Sequence, residues 1–128
     1  MPTKQIFLDL TGVLSVPIAD DQHHLYHVAV DALNAITNQT GAKIVVSSSW
    51  RRKHSLQDLW HILHEEGIQG EVIDTTRYSG PWTTKGEDIE AYLSAMPAPP
   101  ESFIIIDDDP EELVGSPEHI KSRLIQTD

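Results

Sequence analysis

The sequence predicts an α/β fold, a three-layer α/β/α sandwich around a Rossmann-like parallel sheet, formed as one domain over residues 1–128. Two observations carry this expectation. Short apolar runs of the buried parallel-strand type, such as Ile6-Phe7-Leu8 and Ile44-Val45-Val46, alternate with longer stretches whose apolar residues recur at helical spacing. Glycine or proline closes each helical stretch, so the order reads βαβαβαβ, and that alternation puts helices on both faces of a parallel sheet.

Taken in order, residues 4–9 form the first strand and end in Asp9. Leu25, Val28, Ala29, Ala32, Leu33 and Ile36 mark a first helix that Gly41 stops, with residues 15–22 as a short loop before it. Residues 43–47 make the second strand, followed by the serine run Ser47-Ser48-Ser49. Leu56, Leu59, Trp60 and Leu63 mark a second helix terminated by Gly67, and residues 71–74 a third strand. The third helix carries Ile89, Tyr92, Leu93 and Met96 and ends at Pro97. Its start has capping-box spacing, with Thr84 as N-cap and Glu87 at the third position, which makes Lys85 the first helical residue. Residues 96–100 are a stiff proline-rich connection into the strand 102–107, and residues 123–126 form a short last strand.

Composition narrows the function. No apolar run approaches the roughly 20 residues of a membrane span, and the N-terminus has no signal-peptide pattern, so a soluble cytoplasmic protein is expected. The absence of cysteine excludes disulfides, thiolate metal sites and cysteine nucleophiles. Nine Lys plus Arg against twenty Asp plus Glu give a net charge of −11, which repels a polyanion over most of the surface. Nucleic acid would bind only through a local basic patch.

Ligands of open α/β sheets collect at the carboxyl ends of the strands. There the sequence places Asp9, Ser47 to Ser49 and Asp107 to Asp109, with Lys85 opening the third helix. Clustered carboxylates suit a hard, oxygen-seeking cation such as Mg2+, and a carboxylate beside such an ion can attack phosphorus. Lys85 and the serine hydroxyls would stabilise charge on the transferred oxygens. Each residue alone has a plainer reading: a solvated lysine, a helix-capping serine run, an acidic turn. Their joint occurrence at successive strand ends favours the site.

These residues resemble the haloacid dehalogenase (HAD)-like superfamily. Phe7-Leu8-Asp9-Leu10-Thr11-Gly12-Val13-Leu14 resembles its first motif, Ile44 to Ser47 the second, Lys85 the third and Ile104 to Asp108 the fourth. The chain is most similar to the small HAD domains associated with Swiss-army-knife RNA repair proteins, in which segments like Ser48-Ser49-Trp50-Arg51 occur. The resemblance implies strand order 3-2-1-4-5 and Mg2+ as cofactor. It implies Asp9 as nucleophile and metal ligand, the Thr11 carbonyl with Asp107 and Asp108 completing the metal site, and Ser47 and Lys85 holding phosphate. Gly12, Ser48, Arg51 and Arg77 are further candidates for phosphate or substrate. Residues 15–22 and 75–83 are too short to fold as caps, so an open site for a bulky phosphorylated substrate is expected, with Arg51, Arg52, Lys53, His54, Arg77, Tyr78 and Trp82 as its rim.

One position departs from the motif. Thr11 stands where phosphatases of the superfamily carry a second aspartate that acts as general acid and base. Threonine does not titrate near neutral pH, and proton transfer of that kind contributes about 100-fold to 10,000-fold. P-type ATPases also have threonine there, and their aspartyl phosphate persists. A slow Mg2+-dependent phosphatase or phosphotransferase is therefore expected, with a catalytically degenerate phosphate- or metal-binding module as the alternative. A receiver-like phosphoacceptor fits less well, because the acidic group comes late in the chain. His23 with His27 and His61 with His64 have metal-binding spacings, but neither pair maps to the strand ends, and both read as solvated.

Overall fold

The computed structural model describes residues 4–9, 15–19, 22–25, 27–47, 55–76, 84–97, 100, 102–107, 113 and 116–126. Its strands are β1 (Lys4–Leu8), β2 (Ser15–Ala19), β3 (Gln22–Leu25), β4 (Lys43–Val46), β5 (Val72–Thr75), β6 (Ser102–Asp107) and β7 (Leu124–Gln126). Helices are α1 (His27–Thr40), α2 (Leu56–Glu65), α3 (Lys85–Ala95) and α4 (Glu118–Lys121). Five strands pair in parallel in the order β5-β4-β1-β6-β7. Counting only these five, the order is 3-2-1-4-5, as expected.

Period-two alternation along β1 explains the layers. Ile6 and Leu8 point to one face, where they pack with Val30 and Leu33 of α1 and Leu59 and Leu63 of α2. Phe7 points to the other, where it meets Ile89 of α3 and Ile120 of α4. Helices before the switch from β5 to β6 thus cover one face, and those after it cover the other. The strand order reverses between β1 and β6, the place where open sheets of this kind form their ligand crevice.

Local signals set the helix ends. Gly41 (φ 71°) and Gly67 (φ 101°) adopt the left-handed backbone that stops α1 and closes the turn after α2. Ser55 caps α2 by accepting from the Asp58 amide, and Thr84 caps α3 by accepting from the Glu87 amide.

Three features differ from the sequence reading. Residues 15–19 and 22–25 form an antiparallel hairpin where a loop was expected, and Leu25 belongs to β3 and not to α1. Pro17 and the paired histidines His23 and His24 give these strands a composition that hides them, since proline is confined to edge strands. The same hairpin separates His23, in β3, from His27, in α1, so the two do not lie one helical turn apart. α4 also escapes a periodicity reading because it is a single turn. On α2, Leu56 and Trp60 are exposed, so the core stripe is narrower than four apolar residues suggest. Among the described residues no helix is long and apolar enough to cross a membrane.

Candidate active site

Four buried polar residues end four neighbouring strands. Leu8 pairs with Val46 on one side and Ile106 on the other, so the next residues, Ser47, Asp9 and Asp107, lie side by side. Backbone hydrogen bonds carry the ladder that far: the Asp9 amide donates to Ile106 O at 3.0 Å and the Ser47 amide to Leu8 O at 3.0 Å. Val46 pairs with Thr75, and the Thr76 amide donates to Val46 O at 3.0 Å, which extends the row by one strand. Alternation puts Asp9 on the face of Phe7, Ser47 on that of Val45 and Asp107 on that of Ile105, all three being the α3 face. Relative exposures are 3% for Asp9 and 1% each for Ser47, Thr76 and Asp107.

α3 delivers the cation. The Nζ of Lys85 lies 3.1 Å from Asp9 Oδ1 and 3.2 Å from Asp107 Oδ2, with its side chain 16% exposed. That excludes the solvated-lysine reading. A cation in a first helical turn opposes the helix dipole, and Glu87 and Asp88 in the same turn offset this. Burial draws the Lys85 pKa down, but attraction to Asp9 and Asp107 outweighs it and leaves the group raised above 10.5. Lys85 is therefore a cation at neutral pH. Likewise Asp107 is a strand-end carboxylate and not part of a solvated turn, and α2 takes its cap from Ser55, which leaves Ser47 without a capping role.

The scaffold fixes these groups firmly. Phe7, two residues before Asp9, packs edge-on against Tyr92 of α3 and Phe103 of β6, with ring centroids 5.7 Å apart in each pair. Tyr92 also donates to Asp74 Oδ2 at 3.1 Å. Burial, then the Asp74 carboxylate, pushes this phenol up to about 12. Gly86 brings the first turn of α3 close to Leu113 and Ser116: an added Cβ would overlap Ser116 Oγ and lie 3.1 Å from Leu113 Cδ2. Rotating Ser116 would still leave its own Cβ at 3.2 Å. Gly86→Ala is therefore expected to cost about 1–3 kcal/mol in thermal unfolding and to displace Lys85 with the helix start.

The sequence attached no role to Thr76 or Gly86. Thr76 sits beside Arg77, whose charge draws attention first, and the closeness of Gly86 to Ser116 is a tertiary fact without a sequence signature. Thr11, Gly12, Ser48, Arg51, Arg77 and Asp108 lie outside the described residues, as does the remainder of the expected basic rim. The histidines of α2 belong elsewhere: His64 stacks on Trp60 at 4.3 Å and its Nδ1 lies 2.7 Å from Trp60 O.

Two buried carboxylates on adjacent strands provide hard oxygen donors, and their need for a shared positive charge is visible in the way Lys85 bridges them. The donor set fits Mg2+, which Asp9 and Asp107 could hold. Among the described residues no group of three or more His, Asp or Glu forms a complete metal site.

The model of the family described as HAD domain in Swiss Army Knife RNA repair proteins matches residues 5–128. Among solved structures, a chain from the structure of a Pnkp1/Rnl/Hen1 complex is similar, with a TM-score of 0.67 at 16% identity. The similarity covers 98% of this chain and 45% of that one, so this chain spans less than half of its neighbour's length. At that identity the likeness is one of fold. No curated protein sequence matches.

Proposed function

Since the chain belongs to the family of HAD domains in Swiss Army Knife RNA repair proteins, we propose that it is a phosphohydrolase or phosphotransferase in which Asp9 accepts the phosphoryl group. The observation that carries this reading is the Lys85 ammonium bridging Asp9 and Asp107 at the point where the strand order reverses.

Asp9 would use one carboxylate oxygen to attack phosphorus, forming an aspartyl phosphate as the bond to the leaving oxygen breaks. Lys85 and the Ser47 hydroxyl would hold the phosphoryl oxygens, whose charge grows in the transition state. Mg2+, held by Asp9, Asp107, the Thr11 carbonyl and Asp108, would supply further positive charge there. With threonine at position 11 the leaving oxygen takes its proton from water, and the water that later attacks the aspartyl phosphate meets no general base at that position. Both steps are slowed, the second more than the first when the leaving group is already acidic.

The substrate proposed is a phosphorylated RNA end. The family description supports RNA, and a net charge of −11 favours contact with a terminus over a long polyanionic tract. The competing reading, a degenerate phosphate- or metal-binding module, is favoured by Thr11 alone.

Incubation with Mg2+ and an activated aryl phosphate is expected to leave a covalent phosphate on the wild-type chain with slow release. Thr11→Asp is expected to raise phosphate release by about 100-fold or more. Neither labelling nor release from aryl phosphates and phosphorylated oligonucleotides would leave only the binding module.

A further inference from the structure

A bulge in β5 brings one more hydroxyl to the catalytic edge. Ile44 pairs with Val72, but Val45 pairs with Asp74, so the register shifts by one residue at Ile73. An unbroken ladder would set Thr75 beside Ser47; the extra residue sets Thr76 there instead. The shift also turns Asp74 toward α3, where it accepts from Tyr92, and alternation then returns Thr76 to the same face as Ser47, Asp9 and Asp107. Thr76 is 1% exposed, and its Oγ1 has no hydrogen-bond partner among the described residues. A buried hydroxyl in that condition costs stability, and native structures rarely retain one without a use.

We propose that Thr76 is a substrate-contacting residue whose hydroxyl hydrogen-bonds a sugar hydroxyl of the leaving group on the phosphoryl that Asp9 attacks. This rests on the reading of Asp9 as phosphoryl acceptor. Neighbouring strands lie about 4.8 Å apart, so Thr76, two strands from Asp9, stands roughly 10 Å from it. A phosphoryl group held between Asp9 and Ser47 fills the first of those steps, and what is esterified to it reaches the second. Asp9, at 3% exposure, is nearly as shielded as Thr76, so burial sets the two hydrogen-bonding groups at a similar depth on the edge they share.

Among the described residues, this end of the row offers no cation. Thr76 carries no charge, and the ionisable group two residues before it on β5 is the acid Asp74. Among the described residues, cations other than Lys85 lie at the strand starts, Lys4 and Lys43, or on α4 and the turn after it, Lys121 and Arg123. Those residues offer a second phosphate no counter-charge beside Thr76, whereas a sugar hydroxyl can both donate to and accept from threonine.

The test compares the full-length wild type, Thr76→Val and Thr76→Ser by calorimetric titration with Mg2+, using a ribonucleoside monophosphate and phenyl phosphate. Thr76→Val is expected to weaken the nucleotide about tenfold and leave phenyl phosphate unchanged, and Thr76→Ser to restore nucleotide binding. The melting temperature of ligand-free Thr76→Val should equal or exceed that of the wild type, because valine removes a buried hydroxyl that bonds to none of the described residues. Equal affinity of wild type and Thr76→Val for the nucleotide, or equal losses for both probes, overturns the role of Thr76 while leaving the phosphoryl site standing. A wild type that binds neither probe overturns both.

Discussion

Asp9→Asn is expected to lower kcat/KM for an activated aryl phosphate by at least about 1,000-fold, more than about 4 kcal/mol of transition-state stabilisation, and to abolish covalent labelling. The amide keeps the shape of the side chain and an oxygen that Lys85 can bond, while Asp107 still neutralises that ammonium. What disappears is the carboxylate that would form the new bond to phosphorus. The fold should tolerate the exchange, with an unfolding change within about 1 kcal/mol, because one of two mutually repelling acids becomes neutral. Intact-mass measurement after incubation with Mg2+ and substrate reads the result directly: the wild type gains one phosphoryl group and Asp9→Asn gains none. With Thr11 slowing the hydrolytic step more than the transfer step, as proposed, the wild-type adduct should persist long enough to be seen. Labelling that survives in Asp9→Asn would move the acceptor to another residue and defeat the assignment.

The parallel sheet was legible because its strands are buried on both faces and therefore read as unbroken apolar runs, as in Ile104-Ile105-Ile106. The elements that escaped lack that signature. β2 and β3 contain Pro17 and two histidines, and α4 is one turn long, too short for helical periodicity. At the strand ends, Asp9, Ser47, Lys85 and Asp107 could be singled out because acids, hydroxyls and a lysine have chemistry that needs explaining there. Thr76 could not. Its place beside Ser47 depends on a register shift at Ile73, and pairing register between distant strands is set by tertiary packing. The lysine shows the opposite relation: from sequence its helix position opposes the dipole and looks unfavourable, and the structure supplies the two carboxylates that make it favourable.

Lys85→Met is expected to make stability depend on divalent metal. Methionine fills a similar volume but leaves Asp9 and Asp107, both nearly fully buried, without the charge that bridges them. Removing one member of a buried ionic group costs about 3–5 kcal/mol, because the remaining charges stay desolvated. In EDTA the variant should therefore melt well below the wild type. Adding Mg2+ should restore much of the difference, since an ion at 100 times its dissociation constant contributes about 2.7 kcal/mol to the folded state. The wild type should respond less, its carboxylates being already neutralised in part. The pH dependence has a definite sign. A lysine whose folded pKa is raised stabilises fully below its unfolded value near 10.4 and loses that contribution as pH rises through the folded value above 10.5. The difference between wild type and Lys85→Met should accordingly stay level from pH 7 to about pH 10 and shrink only at higher pH. Thermal melts with EDTA and with Mg2+ across that range provide the check. A variant as stable as the wild type without metal would mean that Asp9 and Asp107 do not carry the paired charge that the proposed metal binding and phosphoryl transfer require.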